Sequence, residues 1–188
     1  MLSSPKPNAL SLSIGKNNST TTVRELQKFL QFQLGIRDNK SGSSLNGDRA
    51  LLEAELVTEI ITVSERQILS VPQMPYCVMG IYSWRSEMLW IIDLENLLGY
   101  PNSVTQATPE VGFGPSNFMV MVVKTRGESL GLVVPNVSDI IQIDRQLLNP
   151  ASLELFSKDI QPFLQGYFTD SNNEILMLLN AEKILQGF

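Results

Sequence analysis

The stretch EMLWIIDLENLL, residues 87–98, returns later in the chain as EILMLLNAEKIL, residues 174–185. In both copies a short apolar run ends at a polar residue, Asp93 or Asn180, that is suited to capping the helix that follows. The chain therefore repeats one unit, a strand followed by a brief helix. The two stretches align without gaps, and their identities are Glu87/Glu174, Leu89/Leu176, Glu95/Glu182 and Leu98/Leu185.

The rest of the sequence, on both sides of the two copies, also shows patterns typical of short strands. In residues 28–34, Leu30, Phe32 and Leu34 alternate with glutamines, as expected of a half-buried strand. Turn-forming residues over 37–48 end in Asn46-Gly47 and predict a hairpin whose returning strand covers residues 49–54. Further strands are predicted over residues 56–63, 77–82, 88–93, 118–123 and 131–134. Many short strands separated by turns favour small β-barrels over a parallel sheet.

The distribution of polar residues suggests the domain limits. Residues 1–24 are rich in Ser, Thr, Asn and Pro and predict a flexible tail, with the folded domain at 25–188. A second polar segment near 100–117 predicts the division of this domain into two intertwined barrel subdomains.

Composition narrows the possible functions. The 188 residues include no histidine, which excludes histidine-dependent catalysis and histidine-bound metals. A single cysteine, Cys77, excludes a disulfide within the chain and fits a cytoplasmic location. A net charge of -5 without a basic cluster argues against binding nucleic acid. No apolar run is long enough for a signal peptide or membrane span, so we expect a soluble protein without cofactor or metal.

Two charged residues stand out as candidates for binding a partner. Glu59 lies among apolar neighbours in LVTEII, and it should face water or a partner because an unpaired carboxylate is costly to bury. Arg85 follows Trp84 in a predicted turn, and both residue types are enriched at interface hot spots. Cys77 is predicted to be a buried hydrophobe, and Lys124-Thr125-Arg126-Gly127 a hairpin turn.

The order of these segments resembles the CheW-like chemotaxis adaptors, from about residue 28 to residue 185. The segments that carry the resemblance are KFLQFQLG, LVTEI, VPQMPYCVMGIYSWR, WIIDLENLLG, FMVMVV, GLVVPNVSDII, FLQGYF and ILMLLNAEKIL. The resemblance implies a mostly β fold of two five-stranded SH3-like barrels with short helices. It also implies a non-enzymatic adaptor that couples the cytoplasmic tip of methyl-accepting chemoreceptors to the regulatory domain of a CheA-type histidine kinase.

The resemblance also assigns residues to partner contact. Val57, Glu59 and Ile60 match a V-x-E-I segment and Arg85 the arginine of N-x-R-G, both tied in the family to receptor or kinase contact; we add Trp84 as its neighbour. Strand positions along the groove between the barrels, or at its edge, are matched by Gly80, Ile81, Gly131 and Val133.

Three positions depart from the family pattern. Ser83 stands for asparagine, Ser86 for glycine and Pro135 for aspartate. In this the chain resembles adaptors of cyanobacterial phototaxis or type IV pilus motility (PixI-like). Two other functions stay open: a structural β-barrel subunit that assembles with itself, and a carboxylate-dependent hydrolase.

Overall fold

The computed structural model describes residues 25–35, 47–100 and 117–187. The predicted tail at 1–24, most of the predicted hairpin loop at 37–48 and the polar segment at 101–116 lie outside these ranges. The strands are β1 (Leu26–Leu34), β2 (Asp48–Glu53), β3 (Val57–Ser64), β4 (Val78–Trp84), β5 (Glu87–Asp93), β6 (Asn117–Thr125), β7 (Glu128–Val134), β8 (Asn136–Asp144), β9 (Leu164–Thr169) and β10 (Ile175–Leu179). Two short helices, α1 (Leu94–Leu97) and α2 (Ala181–Leu185), follow β5 and β10.

The strands form two five-stranded sheets, each curled into a small barrel. Barrel 1 has the order β8-β1-β2-β10-β9 and barrel 2 the order β3-β6-β7-β5-β4. Each sheet curls until its two edges meet. In barrel 2, Leu69, which follows β3, exchanges two backbone hydrogen bonds with Ile81 of β4. In barrel 1, Asn149, which follows β8, does the same with Tyr167 of β9. The predicted mostly β fold of two small five-stranded units is confirmed.

The predicted division near 100–117 does not separate the two barrels. That segment lies between β5 and β6, which both belong to barrel 2, whereas β1 and β2 join the last three strands in barrel 1. The reason is that two parallel strand pairs, β5 with β7 and β2 with β10, each join a strand from the first half of the chain to one from the second half. Strand periodicity shows where strands are but contains no information on such distant pairing.

Three apolar cores account for the long apolar runs in the sequence. Alternate residues of β6 point to opposite sides: Val120 and Val122 into barrel 2, and Met121 and Val123 into a large central core shared by both barrels. Phe29 and Phe168 fill barrel 1, with ring centroids 5.5 Å apart. A strand that is buried on both faces shows no alternation of polar and apolar residues.

The two barrels repeat one architecture. In barrel 2, Trp90 of β5 lies beside Leu130 of β7, and in barrel 1 Met177 of β10 lies beside Ala50 of β2. The helices begin alike, because the side chains of Asp93 and Asn180 accept hydrogen bonds from the backbone N–H three residues on. Both predicted caps are confirmed. Neither helix, nor any other in the described ranges, has the length and apolar character needed to cross a membrane.

A close backbone approach recurs at two glycines. A Cβ atom built on Gly80 would lie 2.2 Å from the carbonyl oxygen of Leu69, and one on Gly166 would lie 2.3 Å from that of Asn149. These carbonyls belong to the residues whose hydrogen bonds close the barrels. Glycine is therefore required at both positions for the sheet to curl.

Candidate partner-binding surface

An ion pair between Glu59 and Arg85 joins the two edges of barrel 2. Glu59 lies on edge strand β3, and Arg85 lies in the turn between β4 and β5; its guanidinium donates to the Glu59 carboxylate. The Arg85 side chain is 65% exposed and that of Glu59 is 29% exposed. The structure thus brings together the two charged residues that the sequence singled out, and it keeps them accessible.

The conformation of the β4–β5 turn places Arg85. Arg85 and Ser86 both have positive φ, 47° and 68°, which is the pattern of a two-residue type I′ hairpin turn. The guanidinium carbon of Arg85 lies 5.0 Å from the ring centroid of Trp84, and Trp84 packs against the core of barrel 2. A stacked cation and an ion pair restrict the guanidinium before any partner arrives.

The position of Glu59 follows from an irregularity in β3. The register between β3 and β6 shifts between Val57 and Glu59, which marks a β-bulge. Along β3 the half-buried residues Val57, Glu59 and Ile61 alternate with exposed ones. The carboxylate therefore lies at the margin of the core, where Arg85 offsets the cost of removing it from water.

Apolar side chains border the ion pair. A shallow cavity of about 220 Å³ is lined by Val57, Glu59 and Ile60 of β3 and by Ile140 of β8. Ile60 is 44% exposed and Ile140 is 55% exposed. Ile140 was not among the residues predicted from the sequence. The signal was present, because VTEII at 57–61 recurs as VSDII at 137–141.

A second groove opens at the edge of the central core, and we name it the Met88 groove. It has a volume of about 380 Å³ and is lined by Met88, Trp90, Leu130, Leu185 and Glu128. Met88 is 75% exposed, although it lies on the same face of β5 as Trp90 and Ile92, which pack in the central core. Because Leu185 follows barrel 1 and the other four residues belong to barrel 2, the groove lies between the barrels. The sequence analysis did not identify it.

Four other predicted site residues have different environments. Ile81 is half-buried on β4, and Gly80 is buried against Leu69. Val133 has no exposed surface, and Gly131 lies in the sheet where a Cβ would come 2.6 Å from Cδ1 of Ile91. Gly131 and Val133 thus belong to the interior of barrel 2, and a role of theirs in partner contact stays a prediction from the resemblance.

Other titratable side chains have structural roles. Burial raises the pKa of the Cys77 thiol, and the thiol is therefore a poor nucleophile. Asp144 accepts a hydrogen bond from the backbone of Gln146, and Asp170 pairs with Arg49. Within the described ranges no three acidic or cysteine side chains are placed to hold a metal ion.

Comparison with known proteins places these features in a family. The structure is similar to that of the scaffolding protein TtCheW from Thermoanaerobacter tengcongensis, with a TM-score of 0.60 and 19% sequence identity over 82% of this chain and 84% of that chain. A comparison with curated proteins found no significant match. Residues 43–188, well over half of the sequence, match the family described as the CheW-like domain. The chain therefore belongs to the CheW-like family.

Proposed function

We propose that this protein is a non-catalytic adaptor that couples methyl-accepting chemoreceptors to a CheA-type histidine kinase. The observation that carries the proposal is the Glu59–Arg85 pair, which is held in place by Trp84 and bordered by exposed Ile60. A preorganised charge pair beside exposed apolar side chains is typical of a protein-binding surface. Membership of the CheW-like family supports the same function.

The β3 edge is the surface that we assign to the kinase. In its sheet β3 pairs with β6 only, so its other side carries unpaired backbone groups. Val57 and Ile60 add apolar area beside that edge, and Arg85 adds a charge that fixes the orientation of a partner. A barrel of the kinase regulatory domain would dock here, edge against edge.

The Met88 groove is the surface that we assign to the receptor. Its lining combines the apolar side chains of Met88, Trp90, Leu130 and Leu185 with the polar residues Glu128 and Ser129, and its volume is about 380 Å³. This mixture suits an amphipathic face of a helical hairpin tip. Glu128 at its rim adds a polar contact that would orient the hairpin. Because the groove and the β3 edge use different residues, one adaptor molecule could hold both partners at once.

The cellular setting is part of this proposal. We place the adaptor in the cytoplasm, attached to receptor arrays at the membrane through its partners and without binding nucleic acid. Ser83, Ser86 and Pro135 depart from the family pattern, and they favour a phototaxis or type IV pilus pathway of the PixI type. That subtype stays a prediction from sequence.

The test uses the purified full chain with the CheA-like kinase and a receptor tip fragment from the source organism. We expect Ile60→Asp to weaken kinase binding at least tenfold with receptor binding unchanged, and Met88→Asp to do the reverse. Ile175→Asp is the matched control, because Ile175 is 37% exposed at the position in barrel 1 that corresponds to Met88. If neither partner binds the unmodified chain and the protein sediments as a large homo-oligomer, the structural-subunit alternative replaces the adaptor.

A further inference from the structure

Because the two barrels repeat one architecture, barrel 1 has a second groove at the position that corresponds to the Met88 groove of barrel 2. Met177, paired beside β2, takes the position of Trp90, and Leu98 after α1 takes that of Leu185 at the end of α2. Asp48 begins β2 as Glu128 begins β7. These residues line a cavity of about 270 Å³, together with Tyr100. We name it the Tyr100 cleft.

The Tyr100 cleft has a smaller volume than the Met88 groove, about 270 Å³ against about 380 Å³, and another segment packs across it. Phe156 and Ile160, from the connection between β8 and β9, form one wall, and both are nearly buried. The floor consists of Leu98 and Met177, which are 2% and 4% exposed. The result is a small apolar slot, with room for one side chain and too small for a helix face.

The rim of the cleft is acidic. The Tyr100 hydroxyl donates a 2.7 Å hydrogen bond to Oδ2 of Asp48, so the Asp48 carboxylate is held at the mouth. Asp159 lies beside Gly99, which lines the cleft: a Cβ atom built on Gly99 would be 2.9 Å from Cβ and 3.4 Å from Oδ2 of Asp159. Lysine and arginine do not occur among the described residues that line the cleft.

The ionisation of Tyr100 agrees with a negative potential at this rim. Burial raises the pKa of Tyr100, and the hydrogen bond to Asp48 and the charges of Asp48 and Glu95 raise it further. Each of these negative charges disfavours ionisation of the Tyr100 hydroxyl and would attract a cation. The cleft therefore combines an apolar floor with a rim that favours positive charge.

We propose that the Tyr100 cleft binds a lysine or arginine side chain presented by a partner protein. The aliphatic stem would lie on Leu98, Met177 and Phe156, and the charged head would reach the Asp48 carboxylate. A long basic side chain is the residue type that offers both an apolar stem and a cation. This site uses neither the β3 edge nor the Met88 groove, so it is independent of the partners proposed for those surfaces.

The experiment uses the full chain labelled with ¹³C at the methionine methyl groups. Met177 reports on the Tyr100 cleft and Met88 on the Met88 groove, with signals assigned by substituting each methionine with leucine. The probe is N-acetyl-arginine methylamide, and its neutral isostere N-acetyl-citrulline methylamide is the control ligand. We expect a saturable shift of the Met177 signal with the arginine probe and none with the citrulline probe.

Matched variants connect the shift to the carboxylate. Asp48→Asn should weaken binding of the arginine probe at least tenfold, whereas Glu128→Gln, at the corresponding position of barrel 2, should leave it unchanged. Tyr100→Phe keeps the carboxylate and releases it from its hydrogen bond, so it should bind at least as tightly as the unmodified chain. This variant keeps the test decisive if Asp48→Asn does not fold.

Three results would overturn the proposal. The first is a Met177 signal that does not move with the arginine probe, and the second is an equal response to the citrulline probe. The third is stronger binding of free arginine than of the blocked derivative, which would assign the cleft to the amino acid and not to a protein side chain.

Discussion

Replacing Arg85 with alanine tests whether the Glu59–Arg85 pair serves binding or stability. The side chain is 65% exposed, and ion pairs of exposed groups contribute about 0.2–1 kcal/mol. Its stacking on Trp84, at 5.0 Å, adds about 0.5–1 kcal/mol. We therefore expect the free energy of unfolding to fall by about 0.7–2 kcal/mol. A domain with a typical stability of about 5–15 kcal/mol stays folded after such a loss.

The effect on partner binding should be larger. An arginine that is already positioned beside apolar surface has the properties of a hot spot, whose truncation costs about 2 kcal/mol or more. That loss corresponds to a dissociation constant for the kinase regulatory domain that rises about 30-fold. Calorimetric titration measures the dissociation constant, and urea denaturation of the same preparations measures the unfolding free energy.

Arg126→Ala is the matched control. Arg126 also lies in a two-residue turn with positive φ, is 61% exposed and pairs with Glu182 at 3.0 Å between Nε and Oε1. Its loss removes an exposed ion pair, so it should lower stability by about 0.2–1 kcal/mol and leave kinase binding unchanged. A double-mutant cycle with Glu59→Gln then shows whether Arg85 and Glu59 act as a unit in binding.

Two results would refute the reasoning. One is equal loss of kinase affinity in the Arg85 and Arg126 variants, which would mean that a general change of charge is responsible. The other is loss of the cooperative unfolding transition in Arg85→Ala, which would make the pair a structural element of barrel 2.

Three further predictions concern stability. Ser86→Gly should raise the unfolding free energy in urea by about 0.5–1 kcal/mol, because Ser86 has a φ of 68° that glycine adopts without strain. Gly80→Ala should lower the unfolding free energy by about 3 kcal/mol, because the new Cβ would lie 2.2 Å from the Leu69 carbonyl oxygen, whose hydrogen bond helps to close barrel 2. Gly127→Ala is the control: the space around its new Cβ is open, so it should cost only about 1 kcal/mol. The hydrogen bond from Arg49 lowers the pKa of Asp170, so its contribution to stability is complete above the unfolded carboxyl pKa of about 3.9 and is lost as pH falls through the lower folded value. Unfolding followed from pH 6 downward should therefore show a weaker loss of stability in acid for Asp170→Asn than for the unmodified chain, and an unaltered pH dependence would contradict this assignment.

Local features were predictable from the sequence because their causes are local. The caps at Asp93 and Asn180 depend on residues three positions apart, and the hairpin through Arg85 depends on two adjacent strands. The exposed position of Arg85 follows from the turn itself. Its partner Glu59 was identified because a carboxylate among apolar residues needs compensation, although the sequence could not show that Arg85 supplies it.

Features that depend on distant pairing were not predictable in the same way. The parallel ladder of β5 and β7, which buries Gly131 and Val133 in barrel 2, joins strands that are distant in the sequence. The Met88 groove and the Tyr100 cleft arise only where the two barrels and their short helices meet. Those sites depend on three-dimensional repetition, of which the sequence shows only the copies at 87–98 and 174–185.

The assignment of strands to barrels has a consequence for folding during synthesis. All five strands of barrel 2 lie between residues 57 and 134, so this barrel can close soon after its last strand leaves the ribosome. Barrel 1 must wait, because β2 pairs with β10, which is synthesised after every strand of barrel 2. Until then strands β1 and β2 carry an apolar face without its final neighbour, and slow translation between β2 and β10 would prolong the exposure of that face to chaperones and to aggregation.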